Sequence, residues 1–137
     1  VPAAVASQLQ SNPDINYVHF SFADIPLGVA DTLEESGLLD QVSLIGVDFS
    51  APIGLTEIVA GRHQAWTANP KEYAGWLMVD AMARHSIGQD NTEERTNAIL
   101  PTFVASDAAT AEALITTNGW PGPETMADQF KALWGVG

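Results

Sequence analysis

The sequence contains no cysteine. Disulfide staples and thiolate metal sites are therefore excluded, and the redox compartment is left open. Basic residues are almost as scarce. Five Lys and Arg stand against 17 Asp and Glu, a formal net charge of −12. Nucleic acid requires clustered cations that displace counterions, so this balance argues against it as a partner. It argues equally against an anionic membrane surface. No apolar run approaches the ~20 residues that span a bilayer, and no signal peptide is visible. HExxH, G-x-S-x-G, Walker and G-x-G-x-x-G patterns are also lacking. His19, His63 and His85 have no carboxylate at a ligand-like spacing. No catalytic residue, metal or cofactor is expected.

What is present is globular. Of 137 residues, 46% are hydrophobic and 16% charged. A chain of this length forms one domain and buries roughly two-thirds of its unfolded surface. It opens "VPAAVASQLQ" without an initiator Met, which reads as a start inside something longer.

Strand and helix signals alternate along it. "PAAVASQLQ" is helical and stops at Asn12-Pro13. "INYVHFSF" (15–22) is β-branched and aromatic, the composition of a strand. Asp24 before Ile25-Pro26 predicts an N-cap with Pro in the first turn, and Gly37 suits the helix end. "VSLIGV" (42–47) is a short apolar strand, followed by a helix over 52–60. "HQAWTA" (63–68) is a third strand, with Asn69-Pro70 as the cap and first position of a helix to Ser86. A polar loop follows, then "AILPTFVAS" (98–106), a strand broken by Pro101. Asp107 caps a helix over 108–117, and "ETMADQFKALW" closes the chain as a helix.

This alternation predicts an α/β fold, a three-layer sandwich with a mainly parallel sheet flanked by helices. In such sheets ligands bind outside the carboxyl ends of the strands. Three strands end there in polar or turn residues, at Phe22 to Asp24, at Asp48-Phe49 and at Ala68-Asn69. If those strands are parallel neighbours, the three ends converge on one rim. Asp48 is then a hydroxyl acceptor at a cleft mouth, or a loop acid capping the turn at Ser50-Ala51-Pro52. Asp24 and Asn69 divide between ligand contact and helix capping. Phe20, Phe22, Phe49 and Trp66 divide between sugar stacking and core packing, and Phe22 and Phe49 fall at strand ends.

The helix around "YAGWLMVDAMA" (73–83) is apolar on nearly every side. Successive residues turn about 100° around a helix, so Trp76, Leu77, Met78 and Val79 point all round it. Such a helix is buried between layers or covered by something further.

The order of the pieces "NPDINYVHFSFADIPLGVADTLEESGLLDQVSLIGVDFS" and "GRHQAWTANPKEYAGWLMVDAM" resembles the later half of type I periplasmic sugar-binding proteins, the ribose-binding-protein-like receptors of ABC importers. The tail "NGWPGPETMADQFKALWG" is similar to the ends of the larger members. The resemblance spans essentially the whole chain but about half of a family member. It implies that Asp48 in "GVDF" matches the family's ligand-binding Asp, with Val47 in place of the usual Phe. Phe22, or Ala23 with Asp24, falls at the family's Asn-Asp, and Ala68 or Asn69 falls at its Gln. The implied ligand set is Phe22, Asp24, Asp48, Phe49 and Asn69. The implied domain is a C-terminal lobe over 1–137, with helix 70–88 packing on an N-terminal lobe that this chain lacks. The implied function is binding a small polar solute, a sugar or polyol, outside the cytoplasm for an ABC permease, with no chemistry done. The alternatives are the effector-binding half of a lactose-repressor-family regulator and an enzyme on a doubly wound sheet. A second copy burying helix 73–83 is the self-association the sequence suggests.

Overall fold

Four short strands form one sheet in the order β1 (Tyr17–Phe20), β2 (Ser43–Gly46), β3 (Ala65–Ala68), β4 (Phe103–Ala105). The structure, a computed structural model, describes residues 1–48, 53–97 and 100–136. β1, β2 and β3 are parallel, and β4 is antiparallel to β3. Phe20 lies opposite Gly46, and Gly46 opposite Trp66. Parallel neighbours need crossover connections. Helix α2 (Val29–Glu35) supplies one between β1 and β2, and α3 (Ile53–Val59) supplies the next. The fold is therefore α/β, with a mainly parallel sheet and flanking helices, as the alternation predicts. β4 is confined to the residues after Pro101, which cannot donate to a ladder.

The chain divides into two compact units. The first, Val1–Ala68 with Phe103–Gly119, holds the sheet, α1 (Pro2–Ser11), α2, α3 and α6 (Ala108–Thr116). The second, Asn69–Thr102 with Trp120–Gly137, holds α4 (Lys71–Ser86), α5 (Thr92–Asn97) and α7 (Met126–Trp134).

The first unit is built around Trp66, whose side chain is fully buried with those of Leu33, Leu44, Leu55 and Val29. Phe20 and His63 stack beside it, with ring centroids 6.4 and 5.9 Å away. Two glycines make room for the indole. A methyl group at Gly46 or Gly54 would fall under 3.0 Å from the ring. Arg62 ties two helices together. It holds Glu57 of α3 through two contacts of 2.6 and 2.7 Å and also bonds Asp31 of α2.

Several helix ends follow the sequence signals. Gly37, at φ 67, terminates α2. The amides of Gly37 and Leu38 donate to Glu34 and Leu33 carbonyls at 3.0 and 2.8 Å, satisfying two of the helix's last acceptors. Asp107 caps α6, accepting from the Thr110 amide at 2.8 Å and from its hydroxyl at 2.7 Å.

Other signals fail. Asp24 does not cap α2. Residues 21–28 turn instead, and Gly28, at φ 74, stands at the cap position without a side-chain bond. Asn69 is not a cap either. Pro70 occupies that position before α4, again with no side-chain cap bond. The stretch read as a polar loop contains α5. Asp90 accepts from the Thr92 amide at 3.0 Å and starts it, a local signal with no apolar periodicity behind it.

In the second unit, α4 and α7 join through rings. Trp76 stacks on Phe130 at 5.7 Å and on Trp134 at 5.4 Å, and Tyr73 meets Phe130 at 6.0 Å. Asp80 is buried among them, accepting from Arg84 Nε at 2.8 Å and Trp134 Nε1 at 2.9 Å. The apolar residues Met78, Val79 and Met82 face outward, 66%, 53% and 69% exposed. The helix thus buries its carboxylate and displays its methionines.

Candidate functional site

The parallel direction of β1, β2 and β3 decides where the candidate residues lie. All three strands end on the same edge of the sheet. Phe22 and Asp24 follow β1, and Asp48 follows β2. Asn69 is the next residue in the chain after β3. Phe49 lies outside the described residues.

Backbone bonds fix the first two ends together. The Val47 amide donates to the Phe20 carbonyl at 3.0 Å, so the chain entering Asp48 is tied to the end of β1. Phe22 is held by its own carbonyl, which accepts from Ile25 at 3.2 Å. Ala23 turns inward and is buried, which leaves Phe22 and Asp24 pointing out. Phe22 is 61% exposed, whereas Phe20 and Trp66 are buried. Of the described aromatic candidates, the two rings within strands are therefore core, and the ring just past the end of β1 is exposed to solvent.

Asp48 has a backbone feature that its sequence does not announce. Its φ is 58, in the left-handed region. A non-glycine residue there carries strain of about 1–3 kcal/mol, less for Asp than for bulkier residues, and such strain gathers at ligand clamps. The side chain is partly buried rather than fully solvated.

In the loop that enters β3 stands His63, to which the sequence assigns no role. Its Nδ1 accepts the Trp66 indole N–H at 2.9 Å, and its ring stacks on Phe20 at 5.9 Å. Burial, assisted by the neighbouring Arg62 charge, lowers its pKa from 6.5 to about 4, so the ring is neutral. It ties the approach to β3 to the ring of Trp66 and to Phe20 at the end of β1. Spacing alone could not reveal this, because the stacking partner Phe20 comes from a different strand. Among the described residues, no three His, Asp or Glu side chains cluster in a way that could hold a metal.

No protein-family model and no curated protein sequence matches the chain. Solved structures do match. An ABC transporter solute-binding protein from Mycobacterium smegmatis with bound glycerol is 26% identical, with a TM-score of 0.62, over 82% of this chain and 38% of that one. A carbohydrate transporter solute-binding protein from Agrobacterium radiobacter in complex with D-arabinose has a TM-score of 0.66 at 20% identity, over 85% of this chain and 38% of that one. The chain shares its fold with periplasmic sugar-binding proteins of ABC transporters. The fructose-binding periplasmic domain of a hybrid two-component system is similar as well, with a TM-score of 0.66 at 17% identity over 98% of this chain. This chain spans about two-fifths of the length of each of these three proteins, between 38% and 43%. Among the described residues, no helix is long and apolar enough to cross a membrane.

Proposed function

We propose that the chain is the C-terminal, ligand-binding lobe of an extracytoplasmic receptor that takes up a sugar or polyol for an ABC permease. The observation that carries this reading is the common rim of three parallel strands, with Asp48 held there at φ 58. A carboxylate at that place accepts charge-assisted bonds from neighbouring hydroxyls. Phe22 supplies an apolar face for the sugar ring. Asp24, which follows β1, adds a second carboxylate, and the resemblance adds Phe49 and Asn69 to the proposed ligand contacts. The ligand is bound and released unchanged, without metal or cofactor.

The similar structures bind solutes of this class, D-arabinose and glycerol among them, which supports the reading. The excess of 17 acids over five bases favours a receptor outside the cytoplasm over a DNA-bound regulator. In the whole receptor a second lobe closes over the ligand. The outward Met78, Val79 and Met82 of α4 give that lobe an apolar surface to pack on.

A thermal-shift panel of pentoses, hexoses and polyols on the full-length receptor, which supplies both walls of the cleft, tests the proposal. At least one should raise Tm, with a shift that grows as the logarithm of concentration above Kd. The compound recovered afterwards should be chemically unchanged. A panel without any shift, or a product of turnover in the recovered material, removes the receptor reading.

A further inference from the structure

Asn118-Gly119 is the one Asn-Gly step in the sequence, and ligand binding makes no use of it. Asparagine is chemically labile, and a following glycine has no Cβ to shield its backbone nitrogen. The step ends α6, and the chain passes from the first unit to the second between Gly119 and Trp120. Asn118 is exposed.

Backbone bonds hold the step in one form. The Gly119 amide donates to the Leu114 carbonyl at 2.7 Å, and the Asn118 amide to the Ile115 carbonyl at 3.2 Å. Asn118 has φ 58, so this pair of bonds closes the helix around a left-handed residue. Asparagine enters that region more readily than most residues with a Cβ. The Thr117 hydroxyl supports the same turn, 3.0 Å from the Gly119 carbonyl and 3.1 Å from that of Ala113.

This geometry controls reactivity. The Gly119 nitrogen can attack the side-chain carbon of Asn118 only from close range, with the reacting atoms about 3–3.5 Å apart. That range requires the nitrogen and Cβ to lie on the same side of the Cα–C bond. In the left-handed conformation they lie on opposite sides. The proton that the nitrogen must lose is also the one it donates to Leu114.

We infer that Asn118 is a self-modification site which the last turn of α6 keeps shut. When that turn opens, the Gly119 nitrogen bonds to Cγ and its proton passes to solvent. The Cγ–Nδ2 bond breaks and ammonia leaves. Water then opens the five-membered imide at either carbonyl, which leaves aspartate or isoaspartate at position 118. Each product adds one negative charge to a chain already at −12. Isoaspartate also lengthens the main chain by one carbon immediately before the passage to the second unit. The bonds to Leu114 and Ile115 then no longer fit, so the change does not reverse into the original cap. The rate follows local opening of α6, which takes less free energy than global unfolding.

Peptide mapping tests this on native protein and on protein unfolded in guanidinium, incubated side by side at mildly alkaline pH. Asn118 should convert in the unfolded chain, and at least about tenfold more slowly in the native one. Thr117→Val takes the hydroxyl out of the turn. It should raise the native rate and leave the unfolded rate unchanged. Asn118→Gly suits φ 58 and should fold while losing the charge variant that ion exchange separates. No conversion in the unfolded chain overturns the site. Equal rates in native and unfolded protein overturn the protection by α6. A native rate that folded Thr117→Val does not raise shows that opening of this turn is not the controlling step, and also overturns the inference. If Thr117→Val does not fold, the comparison of native and unfolded wild type still decides.

Discussion

Trp66 donates its indole N–H to Nδ1 of His63 across 2.9 Å, with both side chains buried. The bond requires an unprotonated Nδ1, so the proton of the neutral ring sits on Nε2. It joins the centre of the core to the loop that enters β3. Because the two residues are three apart in one strand approach, the lock forms locally, and Phe20 from β1 then stacks on both rings.

A pH dependence follows. Burial lowers the His63 pKa from 6.5 to about 4 in the folded chain. Above pH 6.5 neither state takes up the proton, and the contribution to stability is complete. As pH falls below 6.5, the unfolded chain binds a proton that the folded chain refuses, and stability declines. By the folded pKa the loss is nearly complete, on the order of 3 kcal/mol. Urea midpoints at pH 7 and pH 5 should therefore differ more for the wild type than for His63→Asn. Equal differences would show that His63 does not titrate across folding.

Gly46 and Gly54 are expected to resist substitution. Ala at either position puts its methyl under 3.0 Å from the Trp66 ring. A fully buried indole flanked by strand and helix has little room to shift, and overpacking of this kind costs about 1–3 kcal/mol. Chemical denaturation of Gly46→Ala and Gly54→Ala checks this. Gly75, with nothing within 4 Å of an added Cβ, is the control, and Gly75→Ala should be neutral or slightly stabilising.

Asp48→Gly separates strain from function. Glycine adopts the observed φ of 58 without cost. If the residue is kept there for ligand contact, Asp48→Gly should fold at least as stably as the wild type. Its thermal response to the best sugar or polyol should fall at least about tenfold in apparent affinity, the effect of losing roughly 1.4 kcal/mol of binding. A variant that is much less stable and binds unchanged would assign Asp48 to the turn rather than the site.

Asp80 is the structural acid of the second unit. Asp80→Ala removes the acceptor for both Arg84 Nε and Trp134 Nε1. Loss of bonds to a buried charge should cost roughly 2–4 kcal/mol in that unit. The Trp76 and Trp134 rings report it directly, through a red-shifted emission and a lower first transition on heating. An unchanged emission maximum would show that the rings, not the carboxylate, hold α4 to α7.

The sequence by itself determined the alternation of elements, and with it the class of fold. Period-two and period-3.6 patterns are local, and so are the signals of Gly37 and Asp107, whose partners lie within four residues. It also placed Phe22, Asp24, Asp48 and Asn69 at or next to strand ends. Tertiary structure decided what local patterns cannot encode. The parallel register put those strand ends on one rim, because strand direction depends on pairing partners that lie 20 or more residues apart. The turn over 21–28 and Pro70 took the capping positions from Asp24 and Asn69, since a cap depends on where the backbone bends and not on which residue could serve. His63 became part of the core because Phe20, from a strand more than 40 residues away, stacks on it beside Trp66, and Asp80 became buried because Trp134, 54 residues on, donates to it.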